Sequence, residues 1–185
     1  MKDHRQIGQE LDLFSVHEVA PGAIFWHHKG WIIYRTLVDF IRSQIEPEGY
    51  REISTPVMVK RDLFKRSGHW EHFRDNMFGL AIEKEDYNLK PMNCPEACLV
   101  FKTRTRSYQD LPIRYSEFGI LYRNELSGVL GGLLRVRQFT IDDAHHFIRS
   151  DQIQQEILDV LSLTSDFYKK LGFKPHFYLA TKPDK

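Results

Sequence analysis

The stretch from Tyr115 to Phe147, YSEFGILYRNELSGVLGGLLRVRQFTIDDAHHF, constrains the fold more than any other part of the chain. Two strand-like runs, Ile113–Arg123 and Leu134–Ile141, flank a segment carrying Gly128, Gly131 and Gly132. That pattern predicts an antiparallel hairpin with a long loop. Its polar residues gather in one place. Arg123, Glu125, Arg135 and Arg137 stand at the loop mouth, and Asp142, Asp143, His145 and His146 follow the second run at once. Such a hairpin can offer guanidinium forks to phosphate, a carboxylate to an amine and a histidine to a metal. From spacing alone a charged surface hairpin explains the same residues, because Arg and Glu are mostly exposed.

The rest of the chain gives that hairpin a domain of ordinary size: 185 residues, 42% of them hydrophobic, enough for a substantial core. Lys and Arg total 26 against 25 acids, a net charge of +1, so there is no global electrostatic case for nucleic acid. Cys94 and Cys98 make no disulfide framework, and a reducing compartment is the simpler setting. No apolar run approaches membrane-spanning length, and the polar start MKDHRQIGQE is no secretory signal. The expectation is a cytoplasmic protein.

Apolar spacing predicts an amphipathic helix over Trp31–Glu46, a stop at Gly49 and a strand over Tyr50–Thr55 ending at Pro56. A short helix is expected over Val59–Arg66, then strands at Met77–Ile82 and Tyr87–Lys90 around the acidic turn Glu83–Asp86. The segment Lys90-Pro91-Met92-Asn93-Cys94-Pro95 opens a helix, with Pro95 in its first turn and Asn93 or Cys94 as cap. A cysteine at such a helix start has its thiolate favoured by the dipole, which suits a metal ligand; a buried inert cysteine fits the same position. A last helix runs from Ser150 or Asp151 to Leu171, and Phe173–Thr181 reads as a final strand. His27-His28, His69 and His72 lack nearby partners in sequence and read as packing histidines. This order is not a regular alternation of strand and helix, which predicts an α+β fold with an antiparallel sheet.

The motifs carry a resemblance. Phe118-Gly119-x-x-x-Arg123-Asn124-Glu125, Ser127-Gly128, Gly132-Leu133-x-Arg135-Val136-Arg137, Phe139-Thr140 and Asp142-Asp143-Ala144-His145 closely resemble motif 2 of class II aminoacyl-tRNA synthetases. Their details look like the threonyl-tRNA synthetases, and the likeness extends from Asp3-His4-Arg5 to Thr181-Lys182-Pro183. It implies the class II antiparallel sheet flanked by helices, and a reaction that activates threonine with ATP and Mg²⁺ and transfers it to tRNA(Thr). The helix–strand–proline order ending at Pro56 resembles motif 1, which implies a homodimer. Members of the family continue to a third motif and an anticodon-binding domain. The chain is therefore expected to be the N-terminal portion of a catalytic domain. The alternative is a stand-alone synthetase-like paralogue acting as a binding or regulatory module without aminoacylation.

Carried over position by position, the resemblance makes Arg123 the catalytic cation bridging the threonine carboxylate and the α-phosphate. Glu125 would accept the adenine amino group, Phe139 would stack on adenine, and Arg135 would contact phosphate. Met92 would line the methyl pocket, and Asp143 would bind the hydroxyl or amine. Cys94 and His145 would hold Zn²⁺, with the third protein ligand outside this chain. Glu96-Ala97, Gly131, Gln138 and Ile141 depart from the family's Gly-His, His, Gly and Gln, and these changes are expected near the substrates.

Overall fold

The computed structural model describes residues 2–181. Met1 and residues 182–185, including the Lys182-Pro183 pair of the motif resemblance, lie outside the described residues. Helix α1 (His4–Glu10) starts with a reciprocal cap in which the Asp3 carboxylate accepts from the Arg5 N–H and the Gln6 side chain accepts from the Asp3 N–H. Strands β1 (Phe14–Ser15) and β2 (Phe25–Trp26) form a small antiparallel pair. Helix α2 (His28–Ile45) begins earlier than the apolar spacing predicts. Its cap residue His27 is extended, and its ring bonds Asp12 at 2.6 Å and Ser15 at 2.8 Å, so this histidine serves packing.

Strand β3 (Tyr50–Glu52) is followed by β4 (Met58–Lys60), α3 (Arg61–Arg66) and α4 (His69–Phe73). The helix expected over Val59–Arg66 therefore starts only at Arg61. Met58–Lys60 instead pairs antiparallel with β6 (Glu85–Leu89), which lies beyond β5 (Gly79–Ile82). The β5–β6 turn is tighter than the predicted one: Glu83 and Lys84 both take positive φ, 50° and 69°, the two-residue geometry that matches strand twist. Helix α5 (Cys94–Lys102) has its proline at the start, as the sequence requires.

Strands β7 (Ile113–Tyr122) and β8 (Gln138–Phe147) pair antiparallel over their whole length, from Ile113↔Phe147 to Tyr122↔Gln138. The hairpin is confirmed, but its second strand lies further along than Leu134–Ile141. Asp142, Asp143, His145 and His146 stand inside the strand rather than after it. Helix α6 (Ile153–Lys170) closes the described elements. The expected strand over Phe173–Thr181 is absent: the segment is irregular, with Tyr178 and Leu179 each 91% exposed. A strand needs a ladder for its backbone groups, and among the described residues none pairs with it.

The main sheet has the order β3-β7-β8. The sheet is antiparallel at β7–β8, whereas β3 joins parallel to β7, which the expectation of an antiparallel sheet did not contain. Alternation divides β7 and β8 between two faces. One face turns Ile113, Tyr115, Glu117, Gly119 and Leu121 towards α5, where Phe101 stacks on Phe147 at 4.0 Å. Full burial of an Ile113 or Leu121 side chain is worth roughly 1.5–3 kcal/mol. The other face packs on α2 and α6, with the Arg42 guanidinium 4.9 Å from the Phe118 ring centre and Phe40 against Phe167 at 5.6 Å. Among the described residues no helix is long and apolar enough to cross a membrane.

Candidate functional site

The α5 face of the β7–β8 hairpin collects most of the residues singled out from the sequence. Phe139, Ile141, Asp143 and His145 lie at alternate positions of β8, so one side of the strand presents them together. Asp142 and His146 point the other way. Asp142 borders an open cavity between α2 and α6, where partial desolvation and then the Asp143 charge raise its carboxyl, and His146 Nδ1 lies 2.9 Å from Glu156 on α6. His146 is thus a packing residue, as alternation predicts.

At the open end of the hairpin, Arg123 extends over the Phe139 ring with its guanidinium carbon 4.9 Å from the centre, a cation–π contact. Its Nε donates to the Pro91 carbonyl at 3.3 Å. Glu125 accepts from Arg135 Nε at 2.9 Å through Oε2, while its backbone carbonyl accepts from Arg137 Nε at 2.9 Å. Arg137 also donates to Ser127 Oγ at 3.2 Å, and its N–H bonds the Gly22 carbonyl at 2.6 Å. Arg137 therefore ties the loop to the connector before β2, whereas Arg123 and Arg135 remain at the mouth. From the outside α1 braces the same loop, with His4 Nε2 accepting from the Leu133 N–H at 3.0 Å. Gly132 sits at φ 56° against His4, where any side chain would collide.

Sequence reasoning treated Asn93 only as a helix cap. It occupies the cap position of α5 but makes no side-chain cap bond. Its amide instead donates to Asp143 Oδ2 at 3.2 Å, and it lies so close to Gly119 that a Cβ there would strike it. Behind it stand two further groups the sequence reading passed over. The Lys90 ammonium and the Glu117 carboxylate form an ion pair at 3.0 Å, their side chains 1% and 5% exposed. No local signal marks a lysine as buried; the only hint is a charge placed directly before Pro91 at a strand end.

Two of the positions that depart from the family pattern, Glu96 and Ala97, lie in the core at the first turn of α5. Among the described residues neither Glu96 oxygen has a hydrogen-bond partner, and burial pushes its carboxyl up to about 7, with the Lys90 charge pulling the other way. Gly131 bridges to Arg135 in the loop, Gln138 lines a cavity with Trp26 and Trp31 on the opposite sheet face, and Ile141 is half-buried beside Asp143.

Cys94 is the first residue of α5, and the dipole expectation fails there. Burial, and after it the Asp143 carboxylate, push the thiol up, outweighing the favourable helix start. Cys94 borders a cleft of about 330 Å³ lined also by Ser67, His69, Cys98 and Lys102. Cys94 and His145 are donors of the kind zinc takes. In number they fall short: no group of three or more His, Cys, Asp or Glu side chains among the described residues is placed to hold a metal ion.

Comparison with known proteins accords with this geometry. Residues 78–183 match the family described as tRNA synthetase class II core domain (G, H, P, S and T). A threonine–tRNA ligase of Caldanaerobacter subterraneus is 51% identical over 183 residues, covering 99% of this chain and 28% of that protein. One from Carboxydothermus hydrogenoformans is 49% identical, covering 99% and 29%. The chain thus spans less than a third of the curated relatives it matches. Among solved structures, the RNA binding domain of threonyl-tRNA synthetase from Cryptosporidium parvum superposes with a TM-score of 0.91 at 44% identity, over 93% of this chain and 43% of that one. Giardia lamblia prolyl-tRNA synthetase, at 18% identity and a TM-score of 0.79 over 87% of this chain and 34% of that one, shares the fold. With a family match over more than half its residues, laid across the very hairpin that gathers Arg123, Glu125, Phe139 and Asp143, the chain belongs to the class II tRNA synthetase core domain family.

Proposed function

We propose that the whole protein activates threonine with ATP and transfers it to tRNA(Thr), and that residues 1–185 are the N-terminal portion of its catalytic domain. The hairpin mouth carries this reading: Arg123 held over Phe139, and Glu125 held by Arg135, in a chain 51% identical to a threonine–tRNA ligase. In activation a threonine carboxylate oxygen attacks the α-phosphorus of ATP and the bond to pyrophosphate breaks. Arg123 bridges the two reactants and stabilises the charge that builds on the phosphoryl oxygens. Its planar fork suits both partners, and positioning with electrostatics supplies most of the acceleration. Phe139 stacks on adenine. Glu125 uses Oε2 for Arg135, so Oε1 is the oxygen that accepts the adenine amino group. Arg135 contacts phosphate, Met92 lines the methyl pocket, and Asp143, oriented by Asn93, takes the hydroxyl or amine. Mg²⁺ bound with ATP would neutralise the departing pyrophosphate.

Cys94 and His145 would hold Zn²⁺, completed by a protein ligand from outside the chain. The ion would supply a coordination position that a hydroxyl fills and a methyl leaves vacant, which separates threonine from valine better than an apolar pocket can. The test is amino-acid-dependent ATP–pyrophosphate exchange in the whole protein, with threonine as the preferred substrate. Cys94→Ser should lower bound zinc and narrow the threonine-over-valine ratio by about ten-fold or more. Unchanged zinc content removes Cys94 from the site, and exchange with another amino acid alone overturns the reading.

The homodimer belongs to the same proposal. Trp31, Ile32, Ile33 and Leu37 of α2 are each 44–48% exposed, and Trp31 borders a cavity of about 470 Å³ between α2 and the sheet. Leu37→Asp should halve the mass measured by sedimentation; a variant that sediments like the wild type places the interface elsewhere. The tRNA partner rests on the relatives, since the net charge of +1 gives it no support. A cytoplasmic setting accords with the free thiols Cys94 and Cys98.

A further inference from the structure

We propose that Lys90 is a positioning residue for activation. Its buried ammonium, bound to Thr55 and Glu117, fixes the Lys90–Asn93 segment that aims Arg123 and Asp143. The inference rests on the threonine-activation reading for its kinetic part and on geometry for the rest.

The Lys90 ammonium uses all three of its donors inside the protein: Thr55 Oγ1 at 2.7 Å, Glu117 Oε1 at 3.0 Å and the Thr55 carbonyl at 3.3 Å. Glu117 Oε1 also accepts from the Thr55 N–H at 2.8 Å and from its hydroxyl at 2.9 Å. One ion pair thereby joins the segment after β3, the end of β6 and the middle of β7. The Lys90 main chain is bound on both sides as well. Its N–H donates to Val57 at 2.8 Å, and its carbonyl accepts from Tyr122 at 3.0 Å.

The segment fixed in this way leads directly to the site. Pro91 presents its carbonyl to Arg123 Nε, and Asn93 presents its amide to Asp143, with Gly119 leaving the room. These contacts lie one and three positions after Lys90, too close to dissipate a shift of the anchor. Burying an ammonium carries a heavy desolvation cost, and a buried ion pair is a poor source of net stability next to an apolar pair of the same volume. What the pair does supply is direction. Its donors and acceptors admit one placement of the segment, where an apolar contact admits several.

The discriminating experiment uses the whole protein and the double variant Lys90→Met/Glu117→Gln, alongside Lys90→Met and Lys90→Arg. The single Lys90→Met leaves Glu117 buried without its partner and should unfold readily. The double variant removes both charges and should melt close to the wild type. If Lys90 acts only through stability, the double variant recovers full exchange. If it positions, kcat for threonine-dependent exchange stays about ten- to a hundred-fold low at little-changed KM, because a small misplacement falls chiefly on the transition state. Lys90→Arg should recover part of that loss. Selective labelling supplies a readout independent of activity: the Asn93 side-chain amide resonance should move towards its solvent-exposed position in the double variant. Full recovery of kcat, or an unmoved Asn93 resonance, overturns the proposal. No exchange in the wild type would overturn the activation reading instead, and the Asn93 resonance would still decide whether Lys90 sets the segment.

Discussion

Replacing Arg123 with alanine is expected to lower threonine-dependent ATP–pyrophosphate exchange in the whole protein by about 10²–10³-fold or more, with little change in melting temperature. The magnitude follows from what one preorganised donor to a developing negative charge contributes to a transition state. In the proposed reaction Arg123 is a single side chain offered to two anionic groups, so its loss removes both the bridge and the charge. Fold stability should hardly notice. Among the described residues the guanidinium makes one hydrogen bond, to the Pro91 carbonyl, and otherwise rests on Phe139 at the open end of the hairpin. Arg123→Lys should recover only a small part, because an ammonium restores the charge without the planar fork. The loss should fall on kcat and on kcat/KM together. Near-normal exchange in the alanine variant would remove Arg123 from the chemistry.

How much of this was legible in the sequence depends on the range of the interactions. The β7–β8 hairpin was legible because its apolar residues and loop glycines are local signals. Its second strand was misplaced for a physical reason. Leu134–Arg137 reads as strand, yet Arg135 bridges back to Gly131 and the Arg137 N–H bonds Gly22, so loop contacts hold that segment out of the ladder. The polar run Asp142–His146 read as lying after the strand because both faces of the strand are polar there. One face carries Asp143 and His145 towards α5, and the other carries Asp142 and His146 towards α6. Neither the parallel β3–β7 pair nor the short strand Met58–Lys60 has a local signature, since each is decided by a partner far along the chain.

The site divides in the same way. Arg123, Glu125, Phe139, Asp143, Cys94 and His145 were singled out through a motif resemblance, which preserves residue types and spacing. Lys90, Glu117 and Asn93, which hold that arrangement, were not: a lysine in a strand end reads as exposed until a buried carboxylate is placed opposite it. Cys94 shows the limit of a local argument in the other direction. Its helix position promised a low thiol value, and burial beside Asp143 reversed the sign.

The opposite face of the sheet depends on another ion pair, and breaking it should cost stability rather than catalysis. Arg114 donates to Glu156 through Nε at 2.8 Å and through a terminal nitrogen at 2.6 Å, and also to Asp159 at 2.8 Å and to the Glu48 carbonyl at 2.6 Å. The Glu156 side chain is 7% exposed, with His146 Nδ1 2.9 Å from Oε2, the oxygen that also accepts from Arg114 Nε. Arg114→Met leaves that carboxylate buried without its main partner and should destabilise the fold by about 3–5 kcal/mol. The pH dependence has a definite sign. Arg114 holds the Glu156 carboxyl below its ordinary value of 4.5, so this stabilisation is present above that value and is lost as pH falls through the lower folded value. Tyr50, Asp159 and His146 face the same pair, and burial keeps His146 below its ordinary value of 6.5. In the variant the buried carboxylate gains by taking a proton. Urea unfolding of wild type and Arg114→Met should therefore differ most at neutral pH and converge in acid below 4.5. A gap that stays constant across that range would mean that Arg114 contributes through its contact with the Tyr50 ring and not through its pairing with Glu156.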